Sequence, residues 1–150
     1  MSSNRIYRGP MERQPETISD KTVASALLPG TFVHEGAAAF TQATSPVGFP
    51  RLLSNRDFYS IGALDATDPL LTPYVAGETV VAYKIEPGQQ YNGAAAAATY
   101  TFGQELTIGA AGRLVAAAST NIVVGYCMQA GAAAAGALID FEVANFYTKP

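Results

Sequence analysis

Near the end of the chain, hydrophobic and polar positions alternate. Ile139, Phe141 and Val143 fall on one side and Asp140 and Glu142 on the other, the period of two that a half-buried antiparallel strand imposes. The spacing predicts a strand over Leu138–Tyr147. With Asn121–Gln129 it forms a final hairpin joined across Gly131–Gly136. Upstream, Gly77–Ile85 is rich in β-branched and aromatic residues and stops at the turn pair Pro87-Gly88. Thr99–Phe102 alternates up to Gly103. Leu106–Ile108 and Arg113–Ala118 read as two strands joined over Gly109–Gly112. Thr31–Val33 follows the turn Pro29-Gly30. The preceding Lys21–Leu28 admits two readings: a short helix capped by Asp20, with Val23 and Leu27 four apart, or a strand entering that turn. The strand is preferred.

Two alanine runs, Ala94–Ala98 and Ala132–Ala135, favour helix by composition alone. Each follows a glycine and falls far short of the roughly 12–15 residues an isolated helix needs. They are therefore read as loops or single turns. Many short strands separated by Gly/Pro turns predict an all-β fold, a compact antiparallel β-sandwich or barrel. The single β-domain is assigned to residues 17–150, and residues 1–16 are assigned to an extended N-terminal arm. In that arm Pro10 and Pro15 block a helix, and Ile6, Tyr7 and Met11 are too few apolar side chains for a core of their own. It is either a disordered tail or an arm that orders across a neighbouring subunit. In the second case Tyr7 and Met11 are the anchors and Arg5 and Arg8 the charge partners.

Composition narrows the function. Of 150 residues only 14% are charged and the net charge is −3, which argues against a nucleic-acid partner held by counterion release. From Tyr91 onward the only charged side chains are Glu105, Arg113, Asp140, Glu142 and Lys149. A stretch so poor in charge, yet too small and Gly-rich to be all core, implies outer faces that meet another protein. One Cys and one His exclude a disulfide framework and a multi-ligand His/Cys metal site. No apolar stretch follows the mixed charges of residues 1–21, so no secretory signal is expected. The uncharged run Ile122–Ile139 approaches membrane-spanning length, but Gln129 and three glycines interrupt it. It reads better as two strands, and no membrane is expected.

The search for chemistry is brief. His34 is the single candidate general base, and no Gly-x-Ser-x-Gly turn accompanies it. Cys127 sits in an apolar strand without cationic neighbours and reads as a buried, inert thiol. Asp57, Asp65 and Asp68 lack the spacing of a calcium loop and read as turn and capping residues. Asp140 and Glu142 share a strand face, but no cleft aromatics are identifiable around them. Gly103–Gly112 lacks the Gly-Lys-Ser/Thr of a phosphate loop. The expectation is a non-enzymatic protein with no cofactor, metal or small-molecule substrate.

Five segments occur in order: VASALLPGTFV (Val23–Val33), TPYVAGETVVAYKIEPGQQYN (Thr72–Asn92), FGQELTIGAAGRLVAAA (Phe102–Ala118), VVGYCMQA (Val123–Ala130) and ALIDFEVANFY (Ala137–Tyr147). Through them the chain resembles the small capsid decoration, or cement, proteins of tailed bacteriophages, departing from them in its two alanine-rich runs. The resemblance implies a jelly-roll or barrel-like β-domain on the outside of an icosahedral head, made in the host cytoplasm. It also implies a homotrimer or homodimer that holds neighbouring major capsid proteins together without catalysis. A terminal arm often clasps neighbours in that family; here the matching segment is Met1–Glu16, with Arg5, Tyr7, Arg8 and Met11 at the interface. The alternative is a virion tail or fibre module for adhesion or carbohydrate binding, its patch supplied by Tyr59, Tyr74, Tyr83, Tyr91 and Tyr100. A small hydrolase built on His34 is the third possibility.

Overall fold

The computed structural model describes residues 5–55 and 69–150, and in them the all-β expectation holds. Five strands, β2 (Glu16–Val23), β3 (Phe32–Glu35), β4 (Ala39–Gln42), β5 (Pro50–Leu53) and β6 (Thr79–Lys84), close into a barrel in the order β2-β4-β3-β5-β6. Its neighbours are antiparallel except β2 and β4, which run parallel through Thr22↔Ala39 and Val23↔Phe40. Six strands make an antiparallel sheet: β1 (Tyr7–Gly9), β7 (Gln90–Ala94), β13 (Leu138–Thr148), β11 (Ile122–Cys127), β9 (Glu105–Ile108) and β10 (Leu114–Ala116), in that spatial order. A two-stranded ribbon pairs β8 (Ala98–Tyr100) with β12 (Gly131–Ala133).

The strand β13 behaves as its alternation predicts. Ile139, Phe141 and Val143 are buried while Asp140 and Glu142 are half-exposed. Lys21–Leu28 is neither a single helix nor a single strand. Lys21–Val23 ends β2, and Leu27 makes an isolated antiparallel bridge to Tyr74. The alanine runs correct the sequence reading in part: Ala96, Ala97, Ala134 and Ala135 lie in loops or turns as expected, but the ends of the runs are strand. Ala94 ends β7, Ala98 opens β8, and Ala132 and Ala133 lie in β12, paired with Thr99 and Ala98. Small side chains suit a ribbon with little to pack against, and the cross-strand partner satisfies the backbone that a loop would leave to water.

Barrel and sheet share one core. Phe32 and Leu52 from the barrel are buried with Tyr91, Leu106, Leu114, Ile139 and Phe141 from the sheet, and the Phe32 and Phe141 rings lie 5.6 Å apart between centroids. A second cluster, including Val23, Val33, Phe40, Leu53 and Val80, fills the barrel. The seam is also stitched by backbone. The amide of Gly112, in the turn joining β9 to β10, donates to the Ala43 carbonyl at 2.7 Å, and Ala94 donates to Gly30 at 2.9 Å. Gly112 has φ +63, and a Cβ there would collide with the Phe32 carbonyl oxygen. Only glycine lets the turn lie this close to β3.

Candidate interaction surface

The segment set apart as an arm is bound to its own domain from Arg5 onward. Ile6 is fully buried in the shared core. One aliphatic side chain in a pre-existing gap is enough to dock a strand, since burying it gains about 1.5–3 kcal/mol. The Ile6 amide donates to Asn55 Oδ1 at 2.7 Å, and its carbonyl accepts from the Asn92 amide at 2.7 Å. Asn92 Nδ2 donates to the Arg5 carbonyl at 3.0 Å.

Tyr7 packs its ring against Tyr91 and Tyr83, at 5.2 and 6.2 Å between centroids. Its hydroxyl lies 2.5 Å from the Pro10 carbonyl and 2.6 Å from that of Arg13, so it pins the bend that follows β1. Burial, opposed by Arg13 and reinforced by Glu86, raises its pKa above the ordinary 10.0. Arg8 lies 3.4 Å from Asp140, near enough for attraction though not aligned as a hydrogen bond. Arg13 meets Glu86 at 2.6 Å. Of the four residues proposed for an interface, Tyr7 and Arg8 are thus engaged within the chain, Arg5 is exposed, and Met11 projects with 71% of its surface open.

Charge is distributed unevenly over the surface. On the barrel, Glu35 sits between Lys21 (2.8 Å) and Arg51 (2.9 Å), and Glu16 meets Lys84 at 2.6 Å across β2 and β6. The hydrogen bond from Lys21 is the first cause that lowers the Glu35 pKa, with Arg51 adding to it against partial burial. Residues 93–104 and 125–137, which carry the ribbon, contain no charged residue. Phe102 projects beside it, 68% exposed.

One polar group on the sheet escaped sequence reading. Tyr147 Oη donates to Glu105 Oε2 at 2.5 Å, and Lys149 lies 3.3 Å from the same carboxylate. The hydrogen bond from Tyr147 is the main cause that holds the Glu105 pKa down, and by the same bond the Tyr147 pKa is raised. These residues sit 42 positions apart, on β9 and near the end of β13, so only the strand order β9-β11-β13 reveals the network.

The candidates for chemistry remain dispersed. His34 lies on β3 opposite Thr41 and Pro50, with its Nδ1 buried and without a hydrogen-bond partner. Among the described residues no hydroxyl or thiol is hydrogen-bonded to it. Cys127 is buried, and its Sγ donates to the Gln129 carbonyl at 2.8 Å. Asp57, Asp65, Asp68 and Tyr59 lie outside the described residues. Among the described residues no three of His, Cys, Asp and Glu gather where a metal could bind. No helix among them is long and apolar enough to cross a membrane.

The tyrosine patch is corrected. Tyr74, Tyr91 and Tyr100 are buried, and Tyr83 is half-buried. Their hydroxyls are spent inside: Tyr91 donates to Gln89 Oε1 at 2.6 Å, and Tyr100 lies 2.8 Å from the Ala96 carbonyl. A tyrosine can be buried when its hydroxyl finds an internal acceptor, and sequence alone does not show where that acceptor is.

No protein-family model matches the chain, and no curated protein does. Among solved structures the fold is similar to the N base of the head fiber gp8.5 of bacteriophage phi29, with a TM-score of 0.53 at 12% identity. The match covers 91% of this chain and 98% of that one.

Proposed function

We propose that this chain is a non-enzymatic virion structural protein that sits on the outer surface of an icosahedral phage head. There it stabilises contacts between neighbouring major capsid proteins. The observation that carries the reading is the fold similarity, which spans nearly the whole of a base domain belonging to a phage head fiber. The ordered resemblance of five sequence segments to capsid decoration proteins supports it independently. So does the charge-free ribbon, because the centres of protein interfaces are depleted in charge. Homo-oligomerisation belongs to the same proposal.

The test is binding of the purified protein to head shells that lack it, followed by sedimentation. Co-sedimentation at a copy number fixed by shell symmetry, with slower release of packaged contents on heating, is the expected result. Protein left in the supernatant at saturating concentration overturns the reading. Deleting residues 1–16 is unsuitable as a probe, because it removes Ile6 from the core and Glu16 from β2.

A second reading, the base of a fibre, is favoured by the similar structure, which is itself the base of a head fiber. Carbohydrate adhesion has less support, since Tyr74, Tyr91 and Tyr100, three of the tyrosines meant to supply it, are buried. Binding on a glycan array would restore it.

A further inference from the structure

At the seam of barrel and sheet lies an open groove of about 250 Å³. Its walls are apolar: Leu28, Pro29, Leu71, Pro73 and Leu138 line it, and Leu71 is 67% exposed. One cation, Arg113, stands in it. Arg8, Arg13, Lys21, Arg51, Lys84 and Lys149 each lie within 4.0 Å of a carboxylate. Among the described residues Arg113 has no carboxylate partner.

The backbone around Arg113 is built to present it. The turn before it holds Ala111 at φ 59, a left-handed conformation that costs a non-glycine residue about 1–3 kcal/mol. Gln42 Nε2 donates to the Ala111 carbonyl at 3.2 Å, and Gly112 is fixed against the barrel. Gly136, at φ +83, turns the chain beside the guanidinium, in a conformation that favours glycine.

We infer that this groove is a docking slot for an extended segment of the shell protein, one bearing a carboxylate beside an aliphatic side chain. The carboxylate takes both hydrogen-bond arms of Arg113, the fork geometry for which guanidinium is suited. The aliphatic side chain covers Leu28 and Leu71. Charge complementarity selects this occupant, because an anion would give Arg113 the carboxylate pairing found at those six cations. The inference rests on the proposed function for the source of the segment.

The experiment measures binding of wild-type protein, Arg113→Glu, Leu71→Asp and a control, Val47→Asp, to shells lacking the protein. Val47 is 67% exposed and lines a different depression. Thermal melts establish that each variant is folded; should Arg113→Glu fail to fold, Leu71→Asp carries the test. The expected result is a loss of affinity of about tenfold or more for both groove variants, with the control unchanged. Shell binding indifferent to both groove variants overturns this inference and leaves the proposed function standing. Wild-type protein that ignores shells overturns both. Self-association of the isolated protein that both groove variants abolish makes a second copy the occupant and overturns the shell segment.

Discussion

The barrel and the six-stranded sheet share a core but present different surfaces. The barrel closes on itself and pairs its charges in place apart from Asp20, with Glu35 held by two cations and Glu16 by Lys84. The sheet, with its ribbon, is poorly charged and carries Phe102 in the open. Surface ion pairs in contact with water, fully or in part, contribute little to stability, about 0–1 kcal/mol each. The barrel's pairs therefore speak more of a surface finished against water than of a stronger fold. The difference divides the surface into a barrel side rich in paired charges and a sheet side that carries few.

Three substitutions test that division. The largest effect is expected at the seam. Gly112→Val adds backbone strain of about 1–3 kcal/mol and a clash against Phe32 of about 1–3 kcal/mol. Urea denaturation should lose the sum of the two. A transition that splits into two would show that barrel and sheet unfold separately once unstitched; a single weakened transition would show one cooperative unit.

On the sheet, Ile6→Val should cost about 0.5–1.5 kcal/mol, the usual result of removing one buried methylene. An unchanged melting temperature would mean that the Ile6 side chain is not tightly packed in the shared core. On the barrel, Glu35→Gln should cost up to about 1 kcal/mol at neutral pH. Because the folded-state pKa of Glu35 is lowered, the contribution is complete above its ordinary value of 4.5 and fades as pH falls through the lowered value. Wild type and variant should therefore converge in strong acid. A gap that persists there would assign the loss to packing instead of charge.

The strands most readable from sequence are those whose alternation is unbroken. In β13 the period of two runs from Ile139 to Val143, and the structure follows it. In β2 a register shift between Ile18 and Lys21 breaks the period, so ETISDKTV shows no alternation to detect. The N-terminal strand is hard to read from sequence for another reason. A segment with one buried side chain looks tail-like until the gap that Ile6 fills is visible.

The candidate surface was legible only in outline. The shortage of charge after Tyr91 was plain, whereas Arg113 resembled any solvated arginine at the start of a strand. Its significance depends on neighbours such as Leu28 and Leu71, more than forty residues away along the chain, and on the pairing of the other cations.

The strand pairing has a consequence for crowding. A barrel closed through the parallel β2–β4 pair has no open edge. The terminal strands of the sheet, β1 and β10, and both strands of the ribbon are three residues long. Long, flat rims are what seed stacking into fibrils, and short ones are a common natural safeguard. A molecule shaped this way can accumulate to high concentration with its backbone giving copies little to polymerise on, so that any association is left to side chains.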